Sequence, residues 1–305
     1  MKILITGGAG FIGSHIQDAY LAAGHEVAVI DDLSHGKRSN LQAQTRFFPC
    51  DIRSPEAVRA VSEWAPDVVN HLAAQMEVRK SVEDPMLDAD INILGGLRVL
   101  KASVDAGCRK FIFSSTGGAI YGEQESFPAS EDHPCYPLSP YGVAKLAFER
   151  YLHYFHTLTG LSYVALRYAN VYGPRQDPHG EAGVVAIFAE KLLAGDQPVI
   201  NGDGGQTRDY VFVEDVAAAN VRALQSVPSG AYNIGTGIET DVNDLFRILR
   251  ELTGSKADEV HAPAKPGEQR RSSLSAAKAA KLLGWEPKTS LREGLARTVD
   301  FFRGR

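Results

Sequence analysis

Tyr141 and Lys145 stand four residues apart in the stretch Ser139-Pro140-Tyr141-Gly142-Val143-Ala144-Lys145. If a helix opens near Pro140, the two side chains share one face, one turn apart. A phenol then lies beside an ammonium ion. Free tyrosine titrates near ~10, and lowering that by about 3 units requires roughly 4 kcal/mol of preferential stabilisation of the phenolate. A neighbouring lysine, together with a cationic cofactor ring, can supply much of it. Such a phenolate is a base able to take a proton from a sugar or alcohol hydroxyl near neutral pH. Tyr-x-x-x-Lys also arises by chance on helix surfaces, so its meaning depends on what the chain places beside it.

A second chemical stretch lies at the N-terminus. Lys2 to Thr6 reads as a short strand and Phe11 to Ala23 as a helix with Ile12, Ile16, Ala19 and Tyr20 on one side. Between them runs Gly7-Gly8-Ala9-Gly10-Phe11-Ile12-Gly13. Glycines at these positions permit a tight turn, close backbone approach to a pyrophosphate and close helix-to-strand packing, with the phosphate on the helix N-terminus. A second strand, Glu26 to Ile30, ends in Asp31-Asp32, where an acid meets an adenosine ribose. An acid there accepts from a free 2′-hydroxyl and repels a 2′-phosphate, which favours NAD over NADP. Lys37 and Arg38 fall in the loop beyond.

The elements that must hold these groups alternate. Strands are expected at Arg46 to Cys50, Asp67 to Leu72, Lys110 to Ser115 and Ser162 to Arg167, with helices at Ser54 to Trp64, Pro85 to Ala106 and Tyr141 to Thr159. Strands separated by helices imply an α/β fold with a parallel, doubly wound sheet, whose ligands sit at the carboxyl ends of strands. The polar residues just after each strand are therefore site candidates: Asp51, Ala73-Ala74-Gln75, Ser114-Ser115-Thr116 and Asn170. Beyond about residue 170 the pattern loosens into turn-rich runs and shorter helices near Val184 to Ala194, Val213 to Gln225, Asp241 to Thr253, Ala276 to Leu283 and Leu291 to Phe302. This predicts a dinucleotide-binding domain over 1–170 and a smaller α/β substrate lobe over 171–305, partly interleaved with the first.

Composition narrows the classes of function. The chain has 305 residues, 44% of them hydrophobic and 23% charged, as in an ordinary folded protein rather than a disordered one. A net charge of −5 with both signs interspersed provides no basic face for nucleic acid, so a small-molecule partner is expected. Cys50, Cys108 and Cys135 are widely spaced and odd in number, which suggests neither a disulfide framework nor a metal ribbon. The apolar run Ile3-Leu4-Ile5 is too short for a signal peptide or membrane span, and a reducing, cytoplasmic setting is expected. His153 and His156 share a helix without a companion Cys or Glu-x-x-His, so they are expected to be surface or packing residues and not metal ligands.

Taken together, Gly7 to Gly13, Asp31-Asp32, His71-Leu72-Ala73-Ala74, Ser114-Ser115-Thr116, Tyr141 with Lys145, Leu166 to Pro174 and Thr207 to Val216 resemble, in order and over nearly the whole chain, an extended short-chain dehydrogenase/reductase. Within that superfamily the pattern is similar to the UDP-glucose 4-epimerase family. The resemblance implies a Rossmann domain with tightly held NAD, and a UDP-hexose whose C4 centre is inverted through a transient 4-keto sugar. It implies that Tyr141 takes the O4 proton, that Thr116 bridges the sugar hydroxyl and Tyr141, and that Lys145 holds the ribose and keeps Tyr141 acidic. It further implies that NAD meets Gly7, Gly10, Phe11, Ile12, Gly13, Asp31, Asp32, Asp51, Ile52, Leu72, Ala73, Ala74, Gln75, Asn92, Ser114 and Ala169. The substrate would meet Asn170, Val184, Arg208, Lys265, Glu268 and Ser272. Helices Pro85 to Ala106 and Tyr141 to Thr159 would form a dimeric four-helix bundle.

The chain departs from that pattern in several places. The segment after Thr116 carries one residue more than is usual, leaving either Ser115 or Thr116 as the substrate-facing hydroxyl. Lys265 replaces an arginine at the diphosphate, Asn201 replaces an aromatic residue at the uracil, and Ser272 replaces a bulky gate over the sugar, which suggests tolerance of N-acetylhexosamines. Nucleotide-sugar 4,6-dehydratases carry a carboxylate just after the Ser/Thr position, whereas Thr116 is followed by Gly117-Gly118-Ala119-Ile120. Nothing there drives elimination of water. Another nucleotide-sugar epimerase, a reductase and a non-catalytic NAD sensor remain as alternatives.

Overall fold

The computed structural model describes residues 1–179, 183–264 and 269–304. Its first half alternates as the spacing predicts: β1 (Lys2–Thr6), α1 (Phe11–Ala22), β2 (Glu26–Asp31), β3 (Arg46–Pro49), α2 (Pro55–Trp64) and β4 (Val68–His71). Then come α3 (Val78–Glu83), α4 (Pro85–Ala89), a π-helical turn (Asp90–Gly95), α5 (Gly96–Asp105), β5 (Lys110–Thr116), α6 (Gly117–Ile120), α7 (Pro140–Thr159) and β6 (Ser162–Tyr168). The second half contains β7 (Asn170–Tyr172), α8 (Val184–Ala194), β8 (Ile200–Asn201), β9 (Thr207–Phe212), α9 (Val213–Ala223) and β10 (Gly230–Ile234). It ends with β11 (Glu239–Asp241), α10 (Val242–Thr253), β12 (His261–Ala262), α11 (Ala277–Leu283) and α12 (Leu291–Arg303).

Seven parallel strands form one sheet in the order β10-β6-β5-β4-β1-β2-β3. Buried on both faces, they read as near-continuous apolar runs such as Ile3-Leu4-Ile5 and Val27-Ala28-Val29-Ile30. On one face the core joins Ile16 and Tyr20 of α1 to Val216 and Ala219 of α9 and Leu283 of α11. The opposite face packs Val61 of α2, Leu100 of α5 and Phe148 and Leu152 of α7. A three-stranded sheet, β11-β9-β7, carries a third core built from Phe188 of α8, Phe246 of α10 and Val299 of α12. The strand order places β1 between β2 and β4, with the chain turning outward in both directions. That opens a crevice at the carboxyl ends of β1, β4 and β5.

The helix expected from Pro85 to Ala106 is present, running through α4, the π turn and α5 to Asp105, and α3 precedes it. At Gly96 a Cβ would lie 2.6 Å from Phe148 Cε2, so this helix passes α7 closely. The second half, expected as a smaller α/β lobe for which only helix bounds were named, supplies strands β7 to β12. One of them, β10, pairs with β6 and completes the main sheet.

Candidate functional site

The glycine loop is shaped by its neighbours. Gly7 has φ +72°, and a Cβ there would sit 2.7 Å from the backbone N of Ala73. A Cβ on Gly13 would lie 2.2 Å from Gly7 O. The turn and the α1 N-terminus therefore close tightly on the loop after β4, where Leu72 and Ala73 donate their N–H groups to Thr6 O at 3.0 and 3.1 Å. No side chain caps α1 at Gly10. The amides of Phe11, Ile12 and Gly13 thus face the end of the loop, as an anion would require. Asp31 is buried, and its carboxylate accepts from Ala9 N at 2.9 Å and Leu33 N at 2.8 Å. Burial pushes its carboxyl up, partly offset by those two donors. Asp32 instead turns outward to Ser34.

Several residues expected at the cofactor first satisfy one another. Arg53 clasps Asp51 through Nε at 3.0 Å and reaches Asp90 at 3.0 Å. The hydrogen bonds of that fork hold the Asp51 carboxyl below the usual range. Ile52 is buried beside Gly95 of the π turn. Gln75 N donates to Asn92 Oδ1 at 2.9 Å, while Asn92 Nδ2 donates to Gln75 O at 2.9 Å. Both side chains also donate to Asp88 Oδ1. Ala74, just before Gln75, is partly exposed.

The Tyr141–Lys145 pair is set by the start of α7. Ser139 caps that helix by accepting from Gly142 N at 3.2 Å, and Pro140 occupies its first turn. A Cβ on Gly142 would lie 2.6 Å from Ala119 O, so α6 and α7 meet closely. Lys145 is buried and donates to Ser114 O at 2.9 Å, and its ammonium lies 5.7 Å from the Tyr141 ring centroid and 4.8 Å from that of Phe113. Burial lowers its pKa to about 8, against an opposing pull from the charges of Asp88 and Glu149. Tyr141 is half-buried beside it. The expected helical stacking is present.

The three hydroxyls ending β5 diverge. Ser114 Oγ pairs with Tyr168 Oη at 3.1 Å. Ser115 is buried and donates to Glu149 Oε1 at 2.6 Å. Thr116 is half-exposed, caps α6 and accepts from Ala119 N at 3.2 Å. Glu149 also receives Arg167 through Nε at 3.0 Å and Nη2 at 2.6 Å, and both residues are nearly excluded from solvent. Tyr121 accepts from Arg167 and passes its own proton to Asn233 Oδ1 at 2.7 Å.

Toward the smaller lobe, Ala169 N donates to Ile234 O at 2.9 Å and Asn170 is exposed on β7. Arg208 is half-buried on β9, with Nη1 donating to Thr207 O at 2.8 Å. Val184 opens α8 and is half-buried. Ser272 is buried and accepts from Gln124 Nε2 at 3.4 Å. Lys265 and Glu268 lie outside the described residues. His153 is exposed and His156 bonds the Leu161 carbonyl, which makes both surface or packing residues. No group of His, Cys, Asp and Glu among the described residues could hold a metal ion.

Sequence reasoning missed Asp88, the Glu149–Arg167 pair and Asp209. The last accepts from Thr236, Gly237 and Leu274 and ties three segments of the second half together. Apart from Asn92, four residues from Asp88, their partners are distant in sequence, so little local spacing marks them.

Comparison with known proteins agrees with this geometry. The family described as the NAD dependent epimerase/dehydratase family matches residues 3–235. The chain is 51% identical to a UDP-glucose 4-epimerase from Thermotoga maritima crystallised with UDP-glucose, with a TM-score of 0.98 over 100% of this chain and 99% of that one. It is 50% identical to the Thermus thermophilus UDP-glucose 4-epimerase in complex with NAD, with a TM-score of 0.95 and the same coverage. A UDP-N-acetylglucosamine 4-epimerase from Methanobrevibacter ruminantium is 36% identical, with a TM-score of 0.94 over 99% of this chain and 98% of that one.

Proposed function

Since the chain belongs to the NAD dependent epimerase/dehydratase family, we propose that it is an NAD-dependent isomerase that inverts C4 of a UDP-hexose. The observation that carries this reading is the placement of Tyr141 and Lys145 on α7, against the β5 terminus that bears Thr116. The tightly folded glycine turn, the uncapped α1 N-terminus and buried Asp31 suit a dinucleotide with a free 2′-hydroxyl. When bound, NAD supplies a reversible hydride acceptor, which oxidises C4 to a ketone and re-reduces it from the other face.

The protein's own groups handle protons and position. Tyr141 takes the O4 proton and returns it, and the buried ammonium of Lys145 stabilises the phenolate between those events. Thr116 orients O4; this assignment is supported by the engagement of Ser115 with Glu149, which leaves Thr116 as the half-exposed hydroxyl of the strand end. Arg208 and Asn170 would hold the nucleotide half, an arginine fork being suited to a diphosphate. Gly117-Gly118-Ala119-Ile120 forms α6 and offers no acid to expel water from the ketone, which favours epimerisation over dehydration.

The sugar is glucose/galactose or its N-acetyl form. Ser272 supports the wider choice, since a small residue there leaves room for an acetamido group. Leu94 of the π turn and Val143, Tyr151, Tyr154 and Leu158 of α7 are exposed apolar residues, which supports a homodimer through a four-helix bundle. Three free cysteines support a cytoplasmic setting. No described helix is long and apolar enough to cross a membrane. The test is turnover of UDP-galactose and UDP-N-acetylgalactosamine by wild type and Tyr141→Phe, without added reductant. A fall of about 100-fold or more in kcat is expected from loss of the acid/base group. Wild-type turnover by the variant, or a need for stoichiometric NADH, would refute the reading.

A further inference from the structure

Asp88 is a buried carboxylate without an ion pair among the described residues. It lies on α4, is 1% exposed, and α4 packs against α7. Oδ1 accepts from Gln75 Nε2 at 3.1 Å and Asn92 Nδ2 at 2.9 Å, while Oδ2 is buried with no hydrogen-bond partner. A buried carboxylate in that state carries a large desolvation cost unless a positive charge is near. Lys145, on the helix that α4 packs against, is buried too, and its ammonium donates to a neutral carbonyl, Ser114 O.

The other charges around α7 are accounted for. Glu149, one turn beyond Lys145, is paired with Arg167 of β6 and bonded to Ser115. Asp90 of the π turn is paired with Arg53. His71 of β4 is fully buried, and burial followed by the charge of Lys145 holds its pKa down at about 3, so it is neutral. Arg79, Lys80 and Glu83 of α3, and Arg98 and Lys101 of α5, are exposed or half-exposed. Burial pushes the Asp88 carboxyl up and pulls the Lys145 ammonium down, and each charge opposes the other's shift.

We propose that Asp88 is a positioning residue for the reaction, a buried carboxylate that keeps Lys145 cationic and Tyr141 ionisable while its Oδ1 clamps Gln75 and Asn92 at the edge of the cofactor crevice. The proposal rests on the proposed roles of Tyr141 and Lys145. It assigns an unsatisfied charge in the fold to the maintenance of a phenolate–ammonium pair. Without Asp88, that pair collapses toward neutral phenol and neutral amine.

Asp88→Asn is the discriminating change, because its amide oxygen still accepts from Gln75 and Asn92 and only the charge is lost. The first readout is the tyrosinate absorbance of the NAD-loaded protein at pH 7.5, with the Tyr141→Phe spectrum subtracted, in the absence of substrate. The Tyr141 phenolate band is expected to shrink in D88N, and Asp88→Glu, which restores the charge, is expected to recover part of it. With UDP-galactose, kcat should fall about tenfold or more, the alkaline limb should move about one unit lower, and KM should hold. The melting temperature should fall, since the Lys145 charge is left buried without its partner, and Asp88→Glu should restore part of it. A phenolate band equal to or larger than wild type in D88N would overturn the proposal. Absence of C4 turnover by the wild-type protein would instead overturn the proposed function, which the spectroscopic comparison does not use.

Discussion

Replacing Glu149 by Gln probes how the reacting end of β5 is held. The Glu149 carboxylate is 7% exposed and accepts from Ser115 Oγ at 2.6 Å, Arg167 Nε at 3.0 Å and Arg167 Nη2 at 2.6 Å. Glutamine preserves its shape but turns one acceptor into a donor facing the guanidinium. The Arg167 charge, 5% exposed, then keeps only neutral partners, the glutamine oxygen and Tyr121 Oη at 2.9 Å. Removing one member of a buried pair costs about 3–5 kcal/mol, a large part of the roughly 5–15 kcal/mol that holds a typical protein folded. Urea unfolding followed by tryptophan fluorescence and circular dichroism measures this directly. The double change Glu149→Leu with Arg167→Met removes both charges and should cost less than the sum of the single changes. A loss below about 1 kcal/mol for E149Q, the range of an exposed pair, would refute the view that this network is a buried brace.

Two further outcomes follow from the site. Gly13→Ala forces a Cβ to within 2.2 Å of Gly7 O, so the glycine turn must open. Overpacking of this kind costs about 1–3 kcal/mol, or about 5- to 150-fold in NAD affinity; calorimetry should show it, and unchanged affinity would contradict the cradle. Lys145 acts as a cation, and burial places its pKa at about 8. Its proton is bound below that value and lost above it, so kcat should fall as pH rises through about 8, read as an alkaline limb in a steady-state profile. A rate still climbing toward pH 10 would contradict the role of Lys145.

Much of this arrangement is legible from local spacing. Tyr141 and Lys145 are one helical turn apart whatever surrounds them, and Ser139 and Pro140 mark where that turn begins. The glycine run and the acid ending β2 are likewise short-range signals. What the chain conceals depends on pairs distant in sequence. Arg167 meets Glu149 through the packing of α7 on β6, and Asp88 is brought to the side of α7 by the packing of α4 on that helix. The close approach of α5 to α7 is similarly tertiary, since Gly96 lies against Phe148, 52 positions further along the chain. Strand β10 is five residues of modest strand propensity, and it is strand-like because β6 offers an edge.

The central claim, that C4 is inverted by reversible oxidation with the same hydrogen returned, is tested by one isotope measurement. UDP-galactose bearing deuterium at sugar C4 is incubated with the NAD-loaded protein in ordinary water, and the UDP-glucose formed is examined by mass spectrometry and proton NMR. Retention of deuterium at C4, without added reductant and with Tyr141→Phe inactive, is the predicted result. Exchange of that label with solvent, or formation of a deoxy-keto product in place of the C4 epimer, would contradict it.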